Sequence, residues 1–119
     1  MPRVKRGVTT HRRHKKVLAL TKGHRASKHA LYRRAHESML KSLSYAYFHR
    51  RERKGDMRRL WVTRVSAASR AQGLTYSQFI DGLKRAGIGI NRKMLADMAV
   101  TEPEAFANLV TMAKGQAQG

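Results

Sequence analysis

The positive charge of this chain is crowded into one part of it, and no other feature limits its possible folds as strongly. Residues 1–70 hold 21 Lys and Arg against 3 Asp and Glu, whereas residues 71–119 hold 5 against 4. A compact core shared by the whole chain would press like charges together, with too few acids to balance them. The expected organisation is an extended basic arm, residues 1–58, followed by a small near-neutral domain, residues 59–119. A net charge of +19 also calls for a polyanion, and nucleic acid is the one that Arg-rich faces suit best.

The two parts meet in Arg50 to Arg70, RRERKGDMRRLWVTRVSAASR, which carries the only tryptophan. At helical spacing Trp61, Val65 and Ala68 form one line and Arg50, Lys54 and Arg58 another. The first line asks for protein to cover it, and the second suits phosphate. The segment is therefore expected to be a helix that ends the arm and begins the domain.

Taken in order, residues 1–10 have Pro2 and Gly7 and no apolar periodicity, so they are expected to be extended or disordered when alone. A short helix is predicted from His11 to Lys22, with Thr10 as N-cap and Gly23 just past its end. Ser27 is the next candidate cap, and a helical pattern free of proline runs from Lys28 to about Gln72, with Tyr32, Ala35, Met39, Leu43 and Ala46 on its apolar edge. Gly55 is its one interior glycine, a place for a kink, with Asp56 as a possible cap for a second segment. So long a helix cannot be covered by a small protein, and something else must lie along it.

Gly73 suits a left-handed C-cap, and three short helices are predicted beyond it. Thr75 to Gln78 has capping-box spacing and Gly87 stands at the stop; Asn91 caps Arg92 to Ala99; Thr101 to Glu104 repeats the box with Pro103 in the first turn. The closing residues 115–119 are expected to fray. The apolar residues after Gly73 are too few to offset the cost of ordering this part, so Leu60, Trp61, Val62 and Val65 are expected to lend it core. The fold class is all-α: a long basic helical arm and a small C-terminal helical domain.

Several functions are disfavoured. Without cysteine there is no disulfide framework, thiolate nucleophile or cysteine metal site. The longest apolar run is Val17 to Leu20, far short of the ~20 residues that span a bilayer. Glu37, Glu52 and Asp56, the acids of the first 70 residues, form no recognisable pair with a nucleophile and base, and no phosphate-binding glycine loop is present. The six histidines, at 11, 14, 24, 29, 36 and 49, have cationic neighbours that repel a metal. A binding protein with no cofactor, no metal and no catalytic residue is the expectation.

The candidate RNA-binding residues are the clustered cations: Arg3, Lys5, Arg6, Arg12, Arg13, Lys15, Lys16, Lys22, Arg25, Lys28, Arg33, Arg34, Arg50, Arg51, Arg53, Lys54, Arg58, Arg59, Arg64 and Arg70. Tyr32, Tyr45, Tyr47 and Phe48 are interleaved with them and suit either helix packing or stacking on unpaired bases. Lys84, Arg85, Arg92 and Lys93 are the cationic candidates of the C-terminal part. Composition alone also admits a DNA-compacting protein, a cationic membrane-active helix or a nucleic-acid-processing enzyme. Arginines interrupt the apolar edges too often for the second, and the third lacks a visible catalytic group.

The run Lys54 to Arg70, KGDMRRLWVTRVSAASR, resembles the signature of the L-twenty family of bacterial large-subunit ribosomal proteins. The opening PRVKRGVTTHRRHKKVL, the block from Tyr76 to Lys84 and the run from Asn91 to Asp97 are similar to the same family. The resemblance implies a helical arm threaded through large-subunit ribosomal RNA, a small all-α domain, neighbouring ribosomal proteins, and an early role in subunit assembly without a direct part in peptide synthesis. Its implied place is the ribosome of the cytoplasm or of an organelle. Some members bind their own messenger RNA as repressors, which adds that RNA as a possible partner.

Overall fold

The computed structural model describes residues 2–117. Among them the regular structure is helical throughout: α1 Gly7–Leu20, a 3-10 turn Ala26–His29, α2 Tyr32–Ala71, α3 Tyr76–Arg85, α4 Arg92–Thr101 and α5 Pro103–Ala117. The all-α class is as the sequence predicts, and no described helix is long and apolar enough to cross a membrane. Contacts divide the chain into two compact units, Met1–Arg51 and Glu52–Gly119.

In the first unit α1 begins at Gly7, earlier than the expected His11. Arg6 is its N-cap: the Thr9 hydroxyl and the Thr10 amide both donate to the Arg6 carbonyl, each at 3.1 Å. Thr10 therefore lies inside the helix and does not cap it. Ser27 acts through its main chain, whose carbonyl accepts from the amides of Ala30 (3.1 Å) and Leu31 (2.9 Å), so Ala26–His29 winds as a 3-10 turn and α2 starts only at Tyr32. Val17, Thr21 and Ala35 are buried within this unit. His14 stacks on Tyr32, ring centroids 3.7 Å apart, and His24 shares a 2.6 Å hydrogen bond with Ser38.

Helix α2 has 40 residues, about 60 Å at ~1.5 Å per residue, and continues through Gly55. Asp56 starts no second segment; its carboxylate lies 3.5 Å from the Arg59 guanidinium one turn on. At the carboxyl end the Leu74 amide donates to the Ser69 carbonyl and the Gly73 amide to that of Arg70, each at 3.0 Å, with Gly73 at φ +90°. This is a Schellman motif, and Leu74 follows the turn onto the core. Gly87 repeats it after α3, with Ile88 as the apolar follower.

The core of the second unit gathers Val65 of α2, Phe79 and Leu83 of α3, Leu95 and Ala96 of α4, and Phe106, Leu109, Val110 and Ala113 of α5. Trp61 and Ala68 pack against it, so the line drawn through Trp61, Val65 and Ala68 is the buried one. Leu60, 40% exposed, and Val62 are not part of this core, and the contribution of α2 falls to Val65, the Trp61 ring and Ala68. Thr75 and Gln78 form the predicted capping box, and the Asn91 side chain accepts from the Met94 amide at 2.9 Å. The second box fails because α4 runs on to Thr101, whose hydroxyl donates to the Asp97 carbonyl, leaving only Glu102 between α4 and α5. Pro103 takes the first helical position of α5, as expected. That helix continues through Gly115 and Gln116 to Ala117 where fraying was expected; residues 118–119 lie outside the described ones.

Candidate nucleic-acid interface

Helix α1, the 3-10 turn, α2 and the segments that precede and join them carry the cations, and all twenty candidates, from Arg3 to Arg70, are exposed. Among the described residues only Arg34, with Glu37 at 3.7 Å, and Arg59, with Asp56, of these twenty have an acidic partner within 4 Å. Both pairs are solvent-exposed, a setting in which an ion pair is worth about 0–1 kcal/mol, so a phosphate can replace the carboxylate at little cost. The third ion pair among the described residues, Arg85 with Asp81 at 3.0 Å, lies on α3. The helical repeat sets the clusters: Arg50, Lys54 and Arg58 follow one another down one side of α2 with no acid among them.

The aromatic residues divide between packing and exposure. Tyr32 is held between His14 and His36 inside the first unit, whereas Tyr45, Tyr47 and Phe48 are 50%, 46% and 54% exposed. Tyr45 stacks on His49 at 5.7 Å with planes 4° apart, and the Arg51 guanidinium sits 4.8 Å from the Tyr47 ring. A groove of about 710 Å³ runs along this part of α2, lined among others by Lys28, Arg34, Ser38, Lys41 and Tyr45, with the Glu37 carboxylate, the partner of Arg34, as its one acid. It combines cations, hydroxyls and a flat ring, the components for holding a nucleotide backbone with a base laid on the aromatic. Lys41 is absent from the sequence-based candidates, yet it precedes Tyr45 by one turn with its ammonium 5.7 Å from that ring; the i, i+4 spacing was the available signal.

Three of the histidines are drawn into the first unit's own contacts: His14 on Tyr32, His24 on Ser38, and His29 on the His24 carbonyl at 3.1 Å. Among the C-terminal cations Arg85 is occupied by Asp81, and the Arg92 guanidinium donates to the Tyr76 hydroxyl at 2.7 Å. Lys84 and Lys93 are exposed and have no such partner among the described residues. A second cleft, of about 560 Å³, lies within the second unit between Trp61 and Arg64 on one side and Asn91, Lys93, Met94 and Asp97 on the other.

The pattern of the family described as ribosomal protein L20 matches residues 3–109. The chain belongs to the ribosomal protein L20 family. It is 63% identical over 113 residues to the large ribosomal subunit protein bL20 of Dehalococcoides mccartyi, covering 95% of each chain. The protein of the same name from Moorella thermoacetica is 58% identical over 114 residues, 96% of this chain and 94% of the relative. That of Thermomicrobium roseum is 56% identical over 114 residues, 96% and 97% of the two chains. The ribosomal protein L20 family is structural and not enzymatic, as the sequence leads one to expect of this chain.

Proposed function

We propose that this protein is a structural constituent of the large ribosomal subunit that binds large-subunit ribosomal RNA directly and supports early subunit assembly, with no direct part in peptide synthesis. Residues 1–58 serve as the RNA-binding arm and residues 59–119 as the domain that anchors its end. The observation that carries the reading is the set of exposed cations from Arg3 to Arg70, nearly all without an acidic partner among the described residues, in a chain of this family. Neutralising phosphates from several RNA helices along one long helix fixes those helices relative to one another, which is the physical content of an assembly role. Neighbouring ribosomal proteins complete the setting, and the place is the cytoplasmic ribosome. A folded stretch of the chain's own messenger RNA that presents similar phosphates would compete for the same surface.

The test is binding of the full chain to a large-subunit ribosomal RNA domain across a salt series, with duplex DNA of equal length as competitor. Each neutralised phosphate adds roughly 0.7 to 0.9 to the magnitude of the log–log salt slope. Replacing Arg50, Arg51, Arg53 and Lys54 by Gln should flatten that slope by about 3 and leave the fold intact. An unchanged slope would remove these residues from the interface. Equal competition by DNA at every salt concentration would reduce the protein to a general polyanion binder.

A further inference from the structure

The cleft beside Trp61 contains a group that phosphate binding does not explain. Asp97 lines it together with Arg64 and Lys93, yet its carboxylate makes no ion pair within 4 Å among the described residues. A site for phosphate alone would exclude a carboxylate, since the like charges repel, and a site for a cationic peptide would not be rimmed by Arg64 and Lys93. A nucleotide fits both signs at once, with an anionic phosphate at one end and hydrogen-bond donors on the base at the other.

The remaining walls suit a base. Trp61 is held by packing against the core, and Met94, 55% exposed, supplies a polarisable apolar surface. Indole and thioether are both good partners for a flat aromatic ring. The donor pattern then selects among bases. An ionised carboxylate only accepts, through two oxygens. Guanine alone offers it two adjacent donors, N1–H and the N2 amine, on its Watson–Crick edge. Adenine and cytosine place an acceptor nitrogen beside their amine, and uracil flanks its single N3–H with carbonyls. Asn91 completes the set: its Oδ1 is engaged by the Met94 amide, which leaves the amide nitrogen to donate to guanine O6.

We infer that this cleft binds one unpaired guanine, stacked on Trp61 and Met94, with its Watson–Crick edge on the Asp97 carboxylate and its flanking phosphate on Arg64 and Lys93. The inference rests on the RNA-binding reading and adds to it a base-specific contact within the second unit.

Trp61 is the only tryptophan, so its indole N–H gives a single reporter signal in the nitrogen–proton spectrum of the full-length protein. The probes are GMP, IMP, which lacks the N2 amine, and AMP, at a salt concentration that suppresses general phosphate binding. A saturable shift with GMP is expected at concentrations about tenfold lower than with IMP or AMP. Asp97→Asn, which turns one of the two acceptors into a donor, should abolish that preference; Asp97 is exposed, so the fold should survive. No shift with GMP, an equal response to GMP and AMP, or a preference intact in Asp97→Asn overturns the assignment. A shift with an Arg-rich peptide in place of the nucleotides would give the cleft to a protein partner and overturn it as well. Ribosomal RNA binding measured on the same samples separates the two claims. Retained RNA binding without base preference sinks the guanine site alone, whereas loss of both sinks the RNA-binding reading.

Discussion

Two glycines of this chain show how the surroundings of one residue decide the sign of a substitution. A Cβ on Gly82 would stand 2.7 Å from the Ala113 carbonyl oxygen and 2.9 Å from its Cα, because α3 and α5 cross there with their backbones almost touching. Backbone cannot give way as a side chain can. Gly82→Ala is therefore expected to cost about 1 to 3 kcal/mol, the usual range for overpacking, and to lower the denaturation midpoint of the second unit. A Cβ on Gly55 meets nothing within 4 Å, in the interior of α2. There alanine only reduces the freedom of the unfolded chain, so Gly55→Ala should stabilise α2 by about 0.5 to 1 kcal/mol, read as higher helicity or a higher melting temperature. Unchanged helicity and melting temperature would sink that expectation, and reduced RNA binding by Gly55→Ala would mean that the residue serves a contact the free protein does not display.

The ends of the elements follow how local each signal is. Thr75 with Gln78, Asn91, Gly73 and Gly87 act within a few residues of themselves, and each stands where the sequence reading put it. Thr75→Ala and Asn91→Ala should each cost about 1 kcal/mol, measured by denaturant titration, because each orphans an amide in a first turn. Other predicted boundaries moved, each where main-chain hydrogen bonding took over from the expected side-chain cap. Thr101 has the composition of a cap, but α4 runs on past the expected Ala99 and the Thr101 hydroxyl donates back to the Asp97 carbonyl. Thr10 and Ser27 likewise lose their capping roles to main-chain carbonyls. The cations of the candidate interface were legible because charge imbalance needs no tertiary information. Met94 and Asp97 were not, since a cleft exists only once α4 lies near Trp61.

Across the whole molecule the two units differ in both charge and core. Residues 1–51 carry 15 basic side chains against 1 acidic, and residues 52–119 carry 11 against 6. The first unit buries Val17, Thr21 and Ala35, whereas nine residues form the core cluster of the second. Apolar burial that scales with area cannot hold the first unit against its self-repulsion as firmly as it holds the second. Local opening should therefore be far easier in the first unit, and a polyanion that supplies the missing negative charge should close the difference. Hydrogen exchange of the full chain makes this measurable. Amides of Phe79, Leu83 and Val110 should be the best protected in the free protein, while those of Val17 and Ala35 exchange early. Ribosomal RNA should slow exchange most at Val17 and Ala35, and added salt alone should slow it there partially, because screening relieves repulsion without contributing contacts. Equal protection of the two units in the free protein would mean that the small core around Val17 and Ala35 suffices, and that binding finds the arm already formed.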